Sequence, residues 1–237
     1  MASAALQEGP ATAQEARTPT SAPMPGWPGE VAGVLSSLLL CVVCLGAAVQ
    51  TFQINRGAAA GFLLQALVSA VEAGPLLAAL LGLGVGSAAS LAPDVAWVST
   101  VAGLPLLVFG FHWLHGDRAT ANALLGGALL LTGGWGYLTE EAKAMVAHSV
   151  NAVASVTILV ASVFTGNPWG MAGSLLLGFS GFLSGRKSPW PLLLAPRKRE
   201  VLRGLMAAAN LTLQRALQRQ QRELDQGGGE LFAGVSD

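Results

Sequence analysis

Charge is scarce in this chain. Asp, Glu, Lys and Arg make up 11% of its 237 residues, against roughly 25% in a soluble domain. Between Val31 and Gly185 the basic residues are Arg56, Arg118 and Lys143 alone. Such a stretch cannot clothe a water-exposed surface. Cysteine is limited to Cys41 and Cys44, which excludes a disulfide framework. Both lie in one apolar run, where a thiol gains little from ionising and serves as a small hydrophobe. Catalytic and phosphate-binding signatures are missing: no P-loop, no dinucleotide fingerprint, no GxSxG and no HExxH. The first 30 residues are polar and Pro-rich, without the basic start and apolar core of a cleaved signal peptide. The first apolar run is therefore expected to act as an uncleaved insertion signal.

What is present is apolar. Hydrophobic residues make up 52% of the chain, and there are 30 glycines, which are commoner in membrane helices than in soluble ones. In hydrocarbon every backbone polar group must be satisfied within its own segment, so apolar runs of about 20 residues read as membrane-crossing helices. The expected fold is all-α: an integral membrane bundle of about six transmembrane helices with a cytosolic amphipathic C-terminal helix. The spans are placed near 31–54, 58–82, 94–114, 119–138, 144–165 and 168–184. Gly74-Pro75 interrupts the second, and Ser87 to Asp94 forms a loop before the third. The tryptophans Trp27, Trp97, Trp113, Trp135, Trp169 and Trp190 all fall near span ends, where a ring that is half dry and half wet is at home.

This gives four regions: a disordered tail over 1–30, the bundle over 31–185, a basic juxtamembrane segment and amphipathic helix over 186–226, and a disordered tail over 227–237. Nine of the thirteen Lys and Arg follow residue 185. With both termini cytosolic, eleven basic residues face the cytosol and two face away, in keeping with the positive-inside rule. Spans near 20 residues point to an endomembrane, ER or Golgi, rather than a thicker plasma membrane. Arg197, Lys198, Arg199 and Arg203 are expected to bind the anionic cytosolic leaflet, at roughly 1 kcal/mol per basic residue near the surface.

Polar residues inside the bundle are few and patterned. Glu72 is costly at membrane depth and so faces the bundle interior. Gln65, Ser69 and Glu72 share one face of the second span; His148, Asn151, Ser155 and Ser162 share one face of the fifth. At about 1.5 Å per residue, Glu72 and His148 sit at similar depth, roughly 7–10 Å inside the cytosolic edge. They form a candidate intramembrane pair, supported by Gln65, Ser69, Asn151 and Ser155. On the sixth span Gly166, Gly170, Ser174 and Gly178 form a ladder of small residues, suited to close helix packing or to self-association. His112, His115 and Asp117 come nearest to a metal site. A third ligand beside the two histidines would be His148, which enters from the opposite side, so no metal or other cofactor is expected.

The partners implied are the bilayer, and a membrane-protein partner or a second copy of the chain. Nucleic acid is not implied, since the basic segment adjoins a membrane and lacks interleaved aromatics. The leading functional reading is non-enzymatic: interaction, assembly or organisation of an internal membrane. The alternative is a small transporter or proton-coupled channel using the polar faces of the second and fifth spans.

Overall fold

The computed structural model describes residues 27–80, 88–185 and 198–233. Expectations that fall on 1–26, 81–87, 186–197 and 234–237, including those for Trp190 and Arg197, lie outside the described residues. Within them the chain is helical: α1 (Trp27–Phe52), α2 (Arg56–Leu80), α3 (Ala88–Val98), a π-helical turn (Ser99–Gly103), α4 (Leu104–Leu114), α5 (Arg118–Gly133), a 3₁₀ turn (Trp135–Tyr137), α6 (Glu140–Phe164), α7 (Pro168–Gly185) and α8 (Lys198–Ala233).

Among the described residues four segments are long and apolar enough to cross a membrane: Val31–Phe52, Arg56–Pro75, Pro93–Leu114 and Glu140–Phe164. α5 has 16 residues and α7 has 18. α5 falls just under the range of about 17–25 apolar residues that a 30 Å core asks for, and α7 stands at its low end. Residues 88–94, expected in a loop, are the first turns of α3. α2 runs through Pro75 without a break, and α8 continues past the glycine triplet at 227–229 to Ala233.

Caps explain the boundaries. Asn55 Oδ1 accepts from Ala58 N at 3.0 Å and starts α2. Thr139 Oγ1 accepts from Ala142 N, and Glu140 and Glu141 in the first turn of α6 suit the positive end of its dipole. Asp117 caps α5; hydrogen bonds from Thr120 hold its carboxyl below the usual carboxylate range. Gly166, in the turn between α6 and α7, has φ +61°, a conformation that only glycine adopts freely. It therefore belongs to the turn, and nothing lies within 4 Å of where its side chain would be.

The core joins Phe62, Leu107, Phe111, Ile158, Leu177, Leu213 and Leu217 from α2, α4, α6, α7 and α8. The outer face is apolar too: Leu35, Val42 and Val49 of α1, Val156 and Val163 of α6, and Phe179 and Phe182 of α7 are exposed. A belt of this kind on several helices suits hydrocarbon, not water.

α8 departs most from expectation. It does not lie on a surface beside the bundle; it packs between α1 and α7 along their length. Arg203 meets Gly33 at the start of α1, Asn210 meets Cys44 in its middle, and Gln218 meets Gln50 near its end. From Gly33 to Gln50 the rise is about 25 Å, and from Arg203 to Gln218 about 22 Å. α8 thus runs parallel to α1 through most of the bundle's depth. Its buried stripe includes Asn210, Leu213, Gln214, Ala216, Leu217 and Gln220.

Candidate functional site

The polar residues singled out on α2 and α6 converge on a cavity of about 300 Å³. Gln65, Ser69 and Glu72 reach it from α2, His148 and Asn151 from α6, and Arg203 from α8. The cavity lies towards the end of the bundle where α1 and α6 begin and α2 and α7 end. Ser99 and Thr100 of the π turn line it as well. Pro105 explains the turn: it has no N–H to give the carbonyl four residues earlier, so the local ladder opens. Irregular backbone at membrane depth is tolerated where it lines a cavity.

Glu72 does not take His148 as its partner. Its carboxylate accepts from Arg203 Nη2 at 3.0 Å. Arg203 Nη1 also donates to Gly33 O at 3.1 Å and to Ser36 Oγ at 3.3 Å. The reason is both topological and chemical. α2 packs on α1 and α4, whereas α6 packs on α7 and α4. A guanidinium is always charged and offers a fork of donors; an imidazole does neither. Arg203 is therefore a bundle residue, with a side chain 16% exposed, and is not free to bind a leaflet. Arg199 is exposed.

His148 and Asn151 are instead seated against α7. A side chain at Gly185 would come within 2.8 Å of the His148 ring, and one at Gly181 would overlap Asn151 Nδ2. Further along, Gly178 receives Ser155 and Gly170 receives Ser162. The small ladder of α7 and the polar face of α6 are two halves of one contact. Gly181 and Gly185 extend it past Gly178. Gly173 admits Leu213 of α8. Ser174 is buried and bonded within its own helix to Met171 O.

From the cavity floor an uncharged polar seam follows α8. Gln65 Oε1 accepts from Asn210 Nδ2 at 2.6 Å, and Gln50 Oε1 accepts from both Gln214 and Gln218. Gln220 Nε2 meets His115 Nε2 at 3.2 Å. The other ring nitrogen of His115 lies 2.6 Å from Phe111 O, which places the proton on Nδ1 and leaves Nε2 to accept. Three seam atoms are buried with no partner among the described residues: Gln65 Nε2, Asn210 Oδ1 and Gln220 Oε1. An unmet buried polar group costs about 1–3 kcal/mol. Asn167 ties the neighbouring turn to α8: its Nδ2 donates to Ala216 O at 3.0 Å, and its Oδ1 accepts from Trp169 N and Gly170 N at the start of α7. No cluster of three or more His, Cys, Asp or Glu suited to a metal occurs among the described residues.

The chain is 44% identical over 200 residues to Transmembrane protein 276 of Homo sapiens, a match that spans 84% of this chain and 97% of that protein. It is 44% identical to the Bos taurus protein of the same name over 199 residues, with the same two shares. The chain belongs to the Transmembrane protein 276 family. The Mus musculus member is also 44% identical, over 188 residues. No protein-family model matches the chain, and no solved structure does.

The family name and the four apolar spans make this a membrane protein, and the bundle ends agree. Cations stand on aromatic rings there: Arg118 over Trp113 at 5.1 Å, Lys143 over Trp135 at 5.0 Å and Arg215 over Trp169 at 5.1 Å. These three rings are partly exposed, as interfacial anchors are. Trp97 differs. It is buried, and its Nε1 donates to Lys143 O at 2.8 Å, locking α3 to the start of α6.

The sequence reading missed Arg203, Asn210 and the π turn as parts of the site. One signal was available: Arg203 stands seven residues before Asn210 and fourteen before Leu217, which puts it on the buried stripe of α8 rather than on its charged face.

Proposed function

We propose that this protein moves a small polar solute across an internal membrane, with the cavity between α2, α6 and α8 as the site where the solute is held. One observation carries the reading. Polar side chains from three helices converge on a single cavity among apolar spans, beside a helix interrupted by a π turn. Broken helices around a central polar site recur in transporters. Assembly or organisation of an internal membrane, the first expectation from the sequence, draws on no comparable convergence among the described residues.

In this reading α5, α7 and α8 cross with the four apolar spans, shielded in part by their neighbours. No charge lies between Arg203 and Arg215 on α8; Arg203 is neutralised by Glu72 at one end of that stretch, and the long side chain of Arg215 at the other can snorkel to the interface. The two ends of the bundle chain then lie on opposite sides. Counted along the sequence alone, eight of the thirteen basic residues flank span ends that match the start of α1 and five flank the opposite ends. The start of α1 is therefore cytosolic, and the far end of α8 is not. Lys198 and Arg199 sit at headgroup level on the cytosolic side. The short spans favour the ER or Golgi bilayer.

The test is uptake by the purified full-length protein in proteoliposomes, offered radiolabelled glycerol, myo-inositol, glucose, glutamate, arginine and choline. At least one should enter saturably and faster than into protein-free vesicles. Glu72→Gln and His148→Ala should each slow that uptake about tenfold, the effect of losing about 1.4 kcal/mol of interaction. Uptake of none above the protein-free rate would end the reading.

A further inference from the structure

Building on that solute-handling reading, we propose that the solute is uncharged and rich in hydrogen-bonding groups, and that its route through the bundle is the amide seam of α8.

The charge of the cavity is already cancelled. Glu72 and Arg203 neutralise each other at 3.0 Å, and Arg203 is further held by Gly33 O and Ser36 Oγ. An incoming ion of either sign would have to break this pair to be met by an opposite charge, and would leave its like charge beside it. Sites built for ions present an unpaired opposite charge; this one does not. The uncharged side chains left to bind at the cavity include Gln65, Ser99, Asn151 and the exposed imidazole of His148.

The path onward is uncharged as well. Asn210, Gln214, Gln218 and Gln220 lead from Gln65 to His115 and Gln50, near the opposite end of the bundle. A proton chain would need groups that gain and lose protons along the way, and carboxamides do not.

The seam has unspent capacity. Gln65 Nε2, Asn210 Oδ1 and Gln220 Oε1 are buried and unpartnered, one donor and two acceptors spread along its length. A hydroxyl both donates and accepts, so a polyol or water satisfies such a mixture, and an ion of one sign does not. The cavity, at about 300 Å³, stands at the small end of ligand sites. The seam is packed shut in this structure, so passage requires α8 to part from α1 and α2, with amide pairs exchanging one another for solute hydroxyls.

The experiment uses the full-length protein in proteoliposomes and compares glycerol, myo-inositol and glucose with glutamate, arginine and choline. At least one uncharged probe should enter at least tenfold faster than every charged one. Asn210→Leu and Gln214→Leu should each cut that uptake about tenfold, and Gln214→Asn should restore most of it. If Asn210→Leu and Gln214→Leu do not elute as monodisperse protein, Gln218→Leu, half-buried at the far end of the seam, replaces them. Saturable uptake of a charged probe alone overturns this inference and leaves solute handling standing. Uptake of no probe overturns both. Uptake of an uncharged probe that no seam variant slows overturns the route.

Discussion

Arg203→Leu should destabilise the protein by about 2 kcal/mol, and adding Glu72→Gln should recover most of that loss. Removing one partner of a buried pair strands the other charge, at a cost of roughly 3–5 kcal/mol. Glu72 has a side chain 34% exposed, so part of that cost is screened and the lower figure applies. The change also strips the donors from Gly33 O and Ser36 Oγ, which loosens α8 from the start of α1. Denaturant unfolding in mixed micelles reads both variants. Wild-type stability in Arg203→Leu would mean that α8 does not sit where Arg203 meets Glu72.

Gly61→Val should be more damaging still, at 3 kcal/mol or about that, because the obstacle is backbone. A Cβ at Gly61 would stand 2.7 Å from Gly103 O in the π turn and 2.9 Å from Leu107. A side chain can rotate away; a carbonyl fixed in a helix cannot. α2 and α4 must separate, and Phe62 and Leu107, both fully buried, lose their packing. Overpacking in a tight core typically costs 1–3 kcal/mol, occasionally more. Gly46→Ala is the control. Nothing lies within 4 Å of a Cβ there, and replacing a helical glycine by alanine is favourable by up to about 1 kcal/mol. Equal unfolding midpoints for Gly61→Val and Gly46→Ala would refute the close crossing of α2 on the π turn.

The membrane character was legible because it rests on composition and run length, which hydrocarbon constrains directly. So were the polar face of α6 and the small-residue stripe of α7, since helical spacing puts them on single faces. The sequence did not say that they face each other. Ser162 against Gly170 and Asn151 against Gly181 is a matter of tertiary pairing. Gly166 continues the spacing of the stripe but serves the turn. α8 was misplaced because hydropathy reports contact with lipid, and a helix enclosed by α1 and α7 can bury amides on one side. Its low apolar content and flanking arginines resemble those of a surface helix. The partner of Glu72 was hidden for a simpler reason: it lies 131 residues away, and depth alone pointed to His148.

The place of α8 underlies the cavity, the seam and the topology alike, and one measurement tests it most directly. Epitope tags are placed ahead of α1 and after Ala233, and sealed microsomes are treated with protease before and after permeabilisation. The account predicts that the tag ahead of α1 is digested in sealed vesicles, while the tag after α8 is protected until detergent is added. Digestion of both tags in sealed vesicles would put α8 back on the cytosolic surface and contradict the account.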